Sequence, residues 1–201
     1  MISLGIVRWG AFGAMIAGVT WALSGAVAFV FAGTGPADPT GTLYFYLFEG
    51  AHAVGDVGGL LALLGFHVRQ TPAYGRLGTA GFLLAFIGTA LVLLNAVLWL
   101  ILLEASNTLL LTITWDVALL CLLAGNTVLG IATFRAKVLP RWAGISLITL
   151  FPLVMVAAFF DGNGGMMLLL LTLVGLLWLA LGYALWPKRA ARTEGLPLAR
   201  A

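Results

Sequence analysis

Three ionisable residues stand close together in an otherwise apolar stretch: Glu49, His52 and Asp56. On a helix turning about 100° per residue, His52 falls roughly 60° and Asp56 roughly 20° from Glu49, so all three share a narrow stripe. Carboxyl and imidazole groups so spaced can pass a proton along one face, hold a cation, or supply metal ligands. Glu49-x-x-His52 has the right spacing for two ligands on one helix face, with Asp116 or Asp56 as a third. Only one such pair occurs where di-metal bundles use two, and no second histidine shares its depth. A metal on Glu49, His52 and Asp116 is therefore the lesser expectation, and no cofactor is expected. Asn95 and Asp116 fall at similar depths in neighbouring apolar runs, which makes the expected ligand- or ion-binding set Glu49, His52, Asp56, Asn95 and Asp116.

The elements that hold these groups follow from composition. Of 201 residues, 62% are hydrophobic and 8% charged, with a mean hydropathy of +1.11. Soluble domains carry roughly 25% charged residues, so most of this surface must meet lipid rather than water. Soluble enzymes, disulfide scaffolds and nucleic-acid binders are excluded, and the lone Cys121 permits no internal disulfide.

Apolar runs long enough to cross a core of ~30 Å recur at 9–32, 43–66, 77–103, 109–134, 142–160 and 165–186. Each should be a helix, because lipid offers the backbone no hydrogen bonds. The expected fold is an all-α six-helix membrane bundle in one domain, 1–187, followed by a basic tail, 188–201. Turn chemistry marks 33–39, 70–75, 104–107, 137–140 and 161–164, with glycine or proline in each except 104–107, which carries Ser106 and Asn107. The first run is longer than a signal core and is expected to stay as an anchored helix.

All ten Lys and Arg fall on one side of this scheme: Arg8, Arg69, Arg76, Arg135, Lys137, Arg141, and four in the tail. Basic loops stay cytoplasmic, so both termini are expected on the cytoplasmic side. The pI of 9.4 is then a signal of orientation, with only a secondary pull on anionic lipid. Trp9, Tyr74, Trp142, Tyr183 and Trp186 should form an inner aromatic belt, and Tyr44, Tyr46, Trp99 and Trp115 an outer one. With these ends assigned, Glu49, His52 and Asp56 sit roughly 9, 14 and 20 Å below the outer surface.

Arg8-Trp9-Gly10, Arg76-Leu77-Gly78 and Arg141-Trp142-Ala143-Gly144 open the odd helices; Leu64-Gly65, Leu129-Gly130 and Leu181-Gly182 close the even ones. This pattern reads as three parallel hairpin repeats. Gly10, Ala14 and Gly18, and Ala51, Gly55 and Gly59, follow small-xxx-small spacing, which suits close packing within the chain or a homo-oligomer seam. Asn126 lies deeper and belongs to a separate contact. His67 is expected at the inner interface in water, and Cys121 as small apolar packing. Asp161-Gly162-Asn163 matches only the start of a calcium loop, and no nucleophile elbow, P-loop or dinucleotide fingerprint occurs.

Through the phrases Arg8-Trp9-Gly10, Tyr74-Gly75-Arg76-Leu77-Gly78 and Leu139-Pro140-Arg141-Trp142-Ala143-Gly144, the chain resembles small multi-spanning membrane proteins of actinobacterial type. The resemblance implies a bacterial plasma-membrane location and six or seven spans, and it carries no activity. The leading expectation is a small transporter or sensor whose outward-facing acid and histidine pocket binds a proton, cation or small polar ligand. The alternatives are a non-catalytic accessory subunit bound to a membrane-protein partner, and an intramembrane metal-dependent hydrolase. Lipid is the partner common to all three.

Overall fold

The computed structural model describes residues 2–31, 42–102, 108–160 and 165–186. The expected turns at 33–39, 104–107 and 161–164, and the tail 188–201, lie outside the described residues. Every element is helical: α1 (Ile2–Phe31), α2 (Leu43–Leu102), α3 (Thr108–Ala136), α4 (Arg141–Phe160) and α5 (Gly165–Leu185). Leu4–Phe29, Leu43–Ile101 and Leu111–Ala136 are long and apolar enough to cross a membrane, and Leu169–Leu185 is a shorter apolar helix.

Five helices thus stand where the sequence leads one to expect six. The difference lies at the expected turn 70–75, which stays helical through Tyr74. Only Gly75, at φ 60° and ψ −157°, leaves helical geometry. Unbroken, 60 residues of helix would run about 90 Å. Instead the two halves of α2, 43–74 and 76–102, fold back on each other. The His67 ring stacks on Phe82 at 4.2 Å, and a Cβ added to Gly59 would lie 3.6 Å from Thr89 Cγ2.

That backbone geometry is essentially reserved for glycine. Nothing lies within 4 Å of a Cβ built at Gly75, so a side chain there meets open space and strains only the backbone. Gly75→Ala is expected to cost about 1–3 kcal/mol in detergent unfolding. Gly5→Ala, also into open space but without positive φ, should be neutral or stabilising.

Neighbouring helices run antiparallel, as the close approaches show. Gly10 meets Gly65, Gly13 meets Gly58, Gly81 meets Leu129, Gly88 meets Leu122, Gly130 meets Gly144, and Gly18 meets Gly175. Around the bundle, α1 packs on the 43–74 half and on α5, the 76–102 half packs on α3, and α3 packs on α4. Gly10, Ala14, Gly18, Gly55 and Gly59 are all buried by the chain's own helices.

This register gathers every described cation at the end of the bundle that carries Gly75: Arg8, Arg69, Arg76, Arg135, Lys137 and Arg141. The best-filled core lies toward the same end, with Leu63, Phe66, Leu129, Leu147, Leu181 and Leu185 almost wholly enclosed. Large apolar side chains cover the outside, as a lipid-facing surface requires. Trp9, Trp142, Tyr183 and Trp186 are exposed near the Gly75 end, and Tyr46, Trp99 and Trp115 near the other. Tyr74 departs from the expected belt. It is buried, because its ring fills the space a side chain would occupy at Gly78.

Candidate functional site

Apolar helices leave few places for polar groups, and hydroxyls mostly return to their own backbone. Thr20 Oγ1 donates to the Ile16 and Ala17 carbonyls at 3.0 and 3.1 Å, Ser24 Oγ donates to Thr20, and Thr89 Oγ1 donates to Ala85 at 2.9 Å. Such bonds satisfy a short side chain without a partner helix. A carboxylate has no proton to donate this way, so an acid in the same setting is a different matter.

Asp56 is that acid. It is 3% exposed, and its Oδ2 is enclosed with no hydrogen-bond partner. It lies about 20 Å along α2 from Leu43. The glycines beside it explain the burial, since neither holds neighbouring helices away. A Cβ on Gly55 would sit 2.5 Å from Trp21 Nε1 and 2.7 Å from Thr20 Oγ1, and one on Gly59 would sit 3.3 Å from the Trp21 ring. Trp21 is in turn held edge-on by Trp178 at 5.6 Å. Trp21 and Thr20 of α1, with Trp178 of α5 behind Trp21, therefore pack against the glycines that flank the acid.

His52 and Glu49 continue the stripe toward the Leu43 end, both half-buried. His52 Nδ1 lies 3.0 Å from the Phe48 carbonyl, and its ring centroid is 4.3 Å from that of Phe48. Donation to this carbonyl keeps one proton on Nδ1 and leaves Nε2 as the basic nitrogen of the neutral ring. Glu49 lies two turns from Asp56 on the same face, about 10 Å along the axis.

Asn95 is buried at the depth of residues 53–54, given the fold-back that sets His67 against Phe82. Its Nδ2 donates to the Leu111 carbonyl at 3.0 Å and to Thr114 Oγ1 at 3.2 Å. Its amide nitrogen thus ties the 76–102 half of α2 to α3.

Asp116 departs from the expected set. It is exposed, on the side of α3 opposite the buried stripe of Leu111, Ala118, Gly125, Leu129 and Ala132. The expectation aligned helix ends and so fixed depth, but 100° per residue also fixes direction, and Asp116 is turned away. Among the described residues, no three His, Cys, Asp or Glu side chains converge as a metal-binding group.

Other polar groups escaped the sequence reading. His67 is not simply solvated: its Nδ1 pairs with the Tyr74 hydroxyl, and its ring lies on Phe82. Arg69 Nη1 donates to the carbonyls of Ala184, at 3.3 Å, and Leu185, capping the end of α5. Gln70 and Thr133 are fully buried, and neither side chain finds a partner. Only the i+7 spacing of Leu63 and Gln70 within a core-facing stripe could have flagged Gln70.

Comparisons with family models, curated proteins and solved structures find no match for this chain.

Proposed function

We propose that this is a six-crossing protein of the bacterial plasma membrane, with its Gly75 end in the cytoplasm. In this reading it is a small transporter or sensor that takes up a proton or cation from outside at Asp56. The observation that carries the reading is the enclosed, unpartnered carboxylate oxygen of Asp56 inside an apolar bundle. Ionisable groups at membrane depth are expensive and are characteristically tied to ion or proton pathways. His52 and Glu49 form the approach from the surface, with Nε2 of His52 able to accept a proton and hand it inward. Asn95 forms part of the wall at the same depth. The one-sided basic residues support the orientation, and two crossings joined at Gly75 account for the length of α2.

The test is a pH step across vesicles of reconstituted protein loaded with a pH-sensitive dye, with and without potassium or sodium. Wild type should respond, and His52→Ala should slow the response. A flat wild-type response to both pH and cations would reject the reading.

One observation favours a second reading, an accessory subunit whose polar groups lock helices together: the amide of Asn95 spans two helices. That reading predicts stable co-purification with a membrane partner and an inert response in the same vesicles.

A further inference from the structure

Three of the four enclosed side-chain atoms that lack partners among the described residues lie together at the Gly75 end, far from Asp56: Gln70 Nε2 and Oε1, and Thr133 Oγ1. Both residues are 0% exposed. The register sets them at one depth. His67 lies against Phe82, which brings Gln70 level with residue 79, and Gly81 meets Leu129, which brings Thr133 level with residue 77. The separation along the bundle axis is about 3 Å. Both also stand on core-facing stripes of their helices. Gln70 stands between Phe66 and Tyr74 on one stripe of α2, Thr133 stands beside Leu129 and Ala132 on α3, and those four neighbours join one core cluster.

A buried primary amide and a buried hydroxyl are rarely left unpaired, because each surrenders its water on folding. Here both lie in one layer and do not bond to each other. Of the charged groups at this depth, Arg69 caps the end of α5, His67 pairs with Tyr74, and Arg76 and Arg135 are exposed at the surface. The layer is thus neutral, rich in donors and acceptors, and closed from bulk solvent. An ionic ligand has no counter-charge there. A small molecule that both donates and accepts does fit.

We propose that Gln70 and Thr133 form a second polar site that holds ordered water between α2 and α3. Water can accept from Nε2, donate to Oε1 and bond Thr133 Oγ1, which meets the two to four partners a buried water needs. The site stands on residues separate from the Asp56 pocket. Leu63 and Phe66, each no more than 1% exposed, stand between the two. An ion or proton leaving Asp56 for the cytoplasm would meet this hydrated layer next.

X-ray hydroxyl-radical labelling of the full-length protein in detergent tests the site, because water activated inside a protein marks the nearest side chains. Phe66 and Leu129, both closed to bulk solvent, are expected to be labelled, with the equally buried Leu181 as the comparison. The label should disappear in the isosteric Thr133→Val variant, whose melting temperature should also fall because the water loses a partner. Gln70→Leu should act in the same direction; if it does not fold, Thr133→Val decides. Unlabelled Phe66 and Leu129 in wild type, or a Thr133→Val protein that melts higher, would show a dry layer and overturn the proposal. Neither readout depends on whether Asp56 binds anything.

Discussion

Asp56→Leu is expected to yield a protein that is more stable and functionally silent. The leucine fills much of the same volume and removes an enclosed oxygen that finds no partner. Leaving such a group unsatisfied costs about 1–3 kcal/mol, so the variant should resist unfolding in SDS titrations by a similar margin. The same change deletes the group proposed to take the proton or cation, and the vesicle response should be lost. Asp56→Asn keeps the shape and polarity and should also lose the response, which separates charge from packing. The accessory reading makes the opposite forecast, because there the acid belongs to a lock: stability falls and partner binding weakens. A destabilised Asp56→Leu protein with an unchanged vesicle response would therefore end the proposed function.

Gly10→Leu is expected to prevent the bundle from assembling. At this crossing glycine faces glycine, and even a Cβ on Gly10 would lie 2.5 Å from Gly65 Cα and 3.0 Å from the Leu61 carbonyl oxygen. Backbone cannot rotate away as a side chain can, so α1 and the 43–74 half of α2 must separate along their contact. Gly10→Ala alone should cost up to about 3 kcal/mol, the upper range for an overpacked core site. Without a hydrophobic driving force between helices in lipid, close van der Waals contact is what association depends on. The larger variant should appear as loss of monodisperse protein on size exclusion, while Gly5→Ala behaves as wild type. A well-folded Gly10→Leu protein would show that this crossing is looser than described.

These two residues also mark how much of the fold was legible in the sequence. The stripe Gly10, Ala14 and Gly18 is a spacing pattern, so its place at a helix contact was legible; that Gly10 meets Gly65 while Gly18 meets Gly175 was not. Glu49, His52 and Asp56 lie on one helix, where a fixed turn per residue makes their shared face a local property. Asp116 and Asn95 lie on other elements, whose rotation about their axes depends on contacts far away in the chain. One turned inward and one outward, although both seemed equally suited to the pocket.

The all-helical class, the presence of helices apolar enough to cross a membrane and the gathering of the described cations at one end were legible in residue order, because lipid imposes its demands on each segment separately: backbone bonds satisfied within the run, cationic groups at one surface. Whether 70–75 formed a loop or helix up to one strained glycine was a balance between turn chemistry and packing. Enclosure without a partner, at Asp56, Gln70 and Thr133, is likewise a property of the assembled bundle. It is set by what neighbouring helices fail to offer, and no stretch of chain carries that information alone.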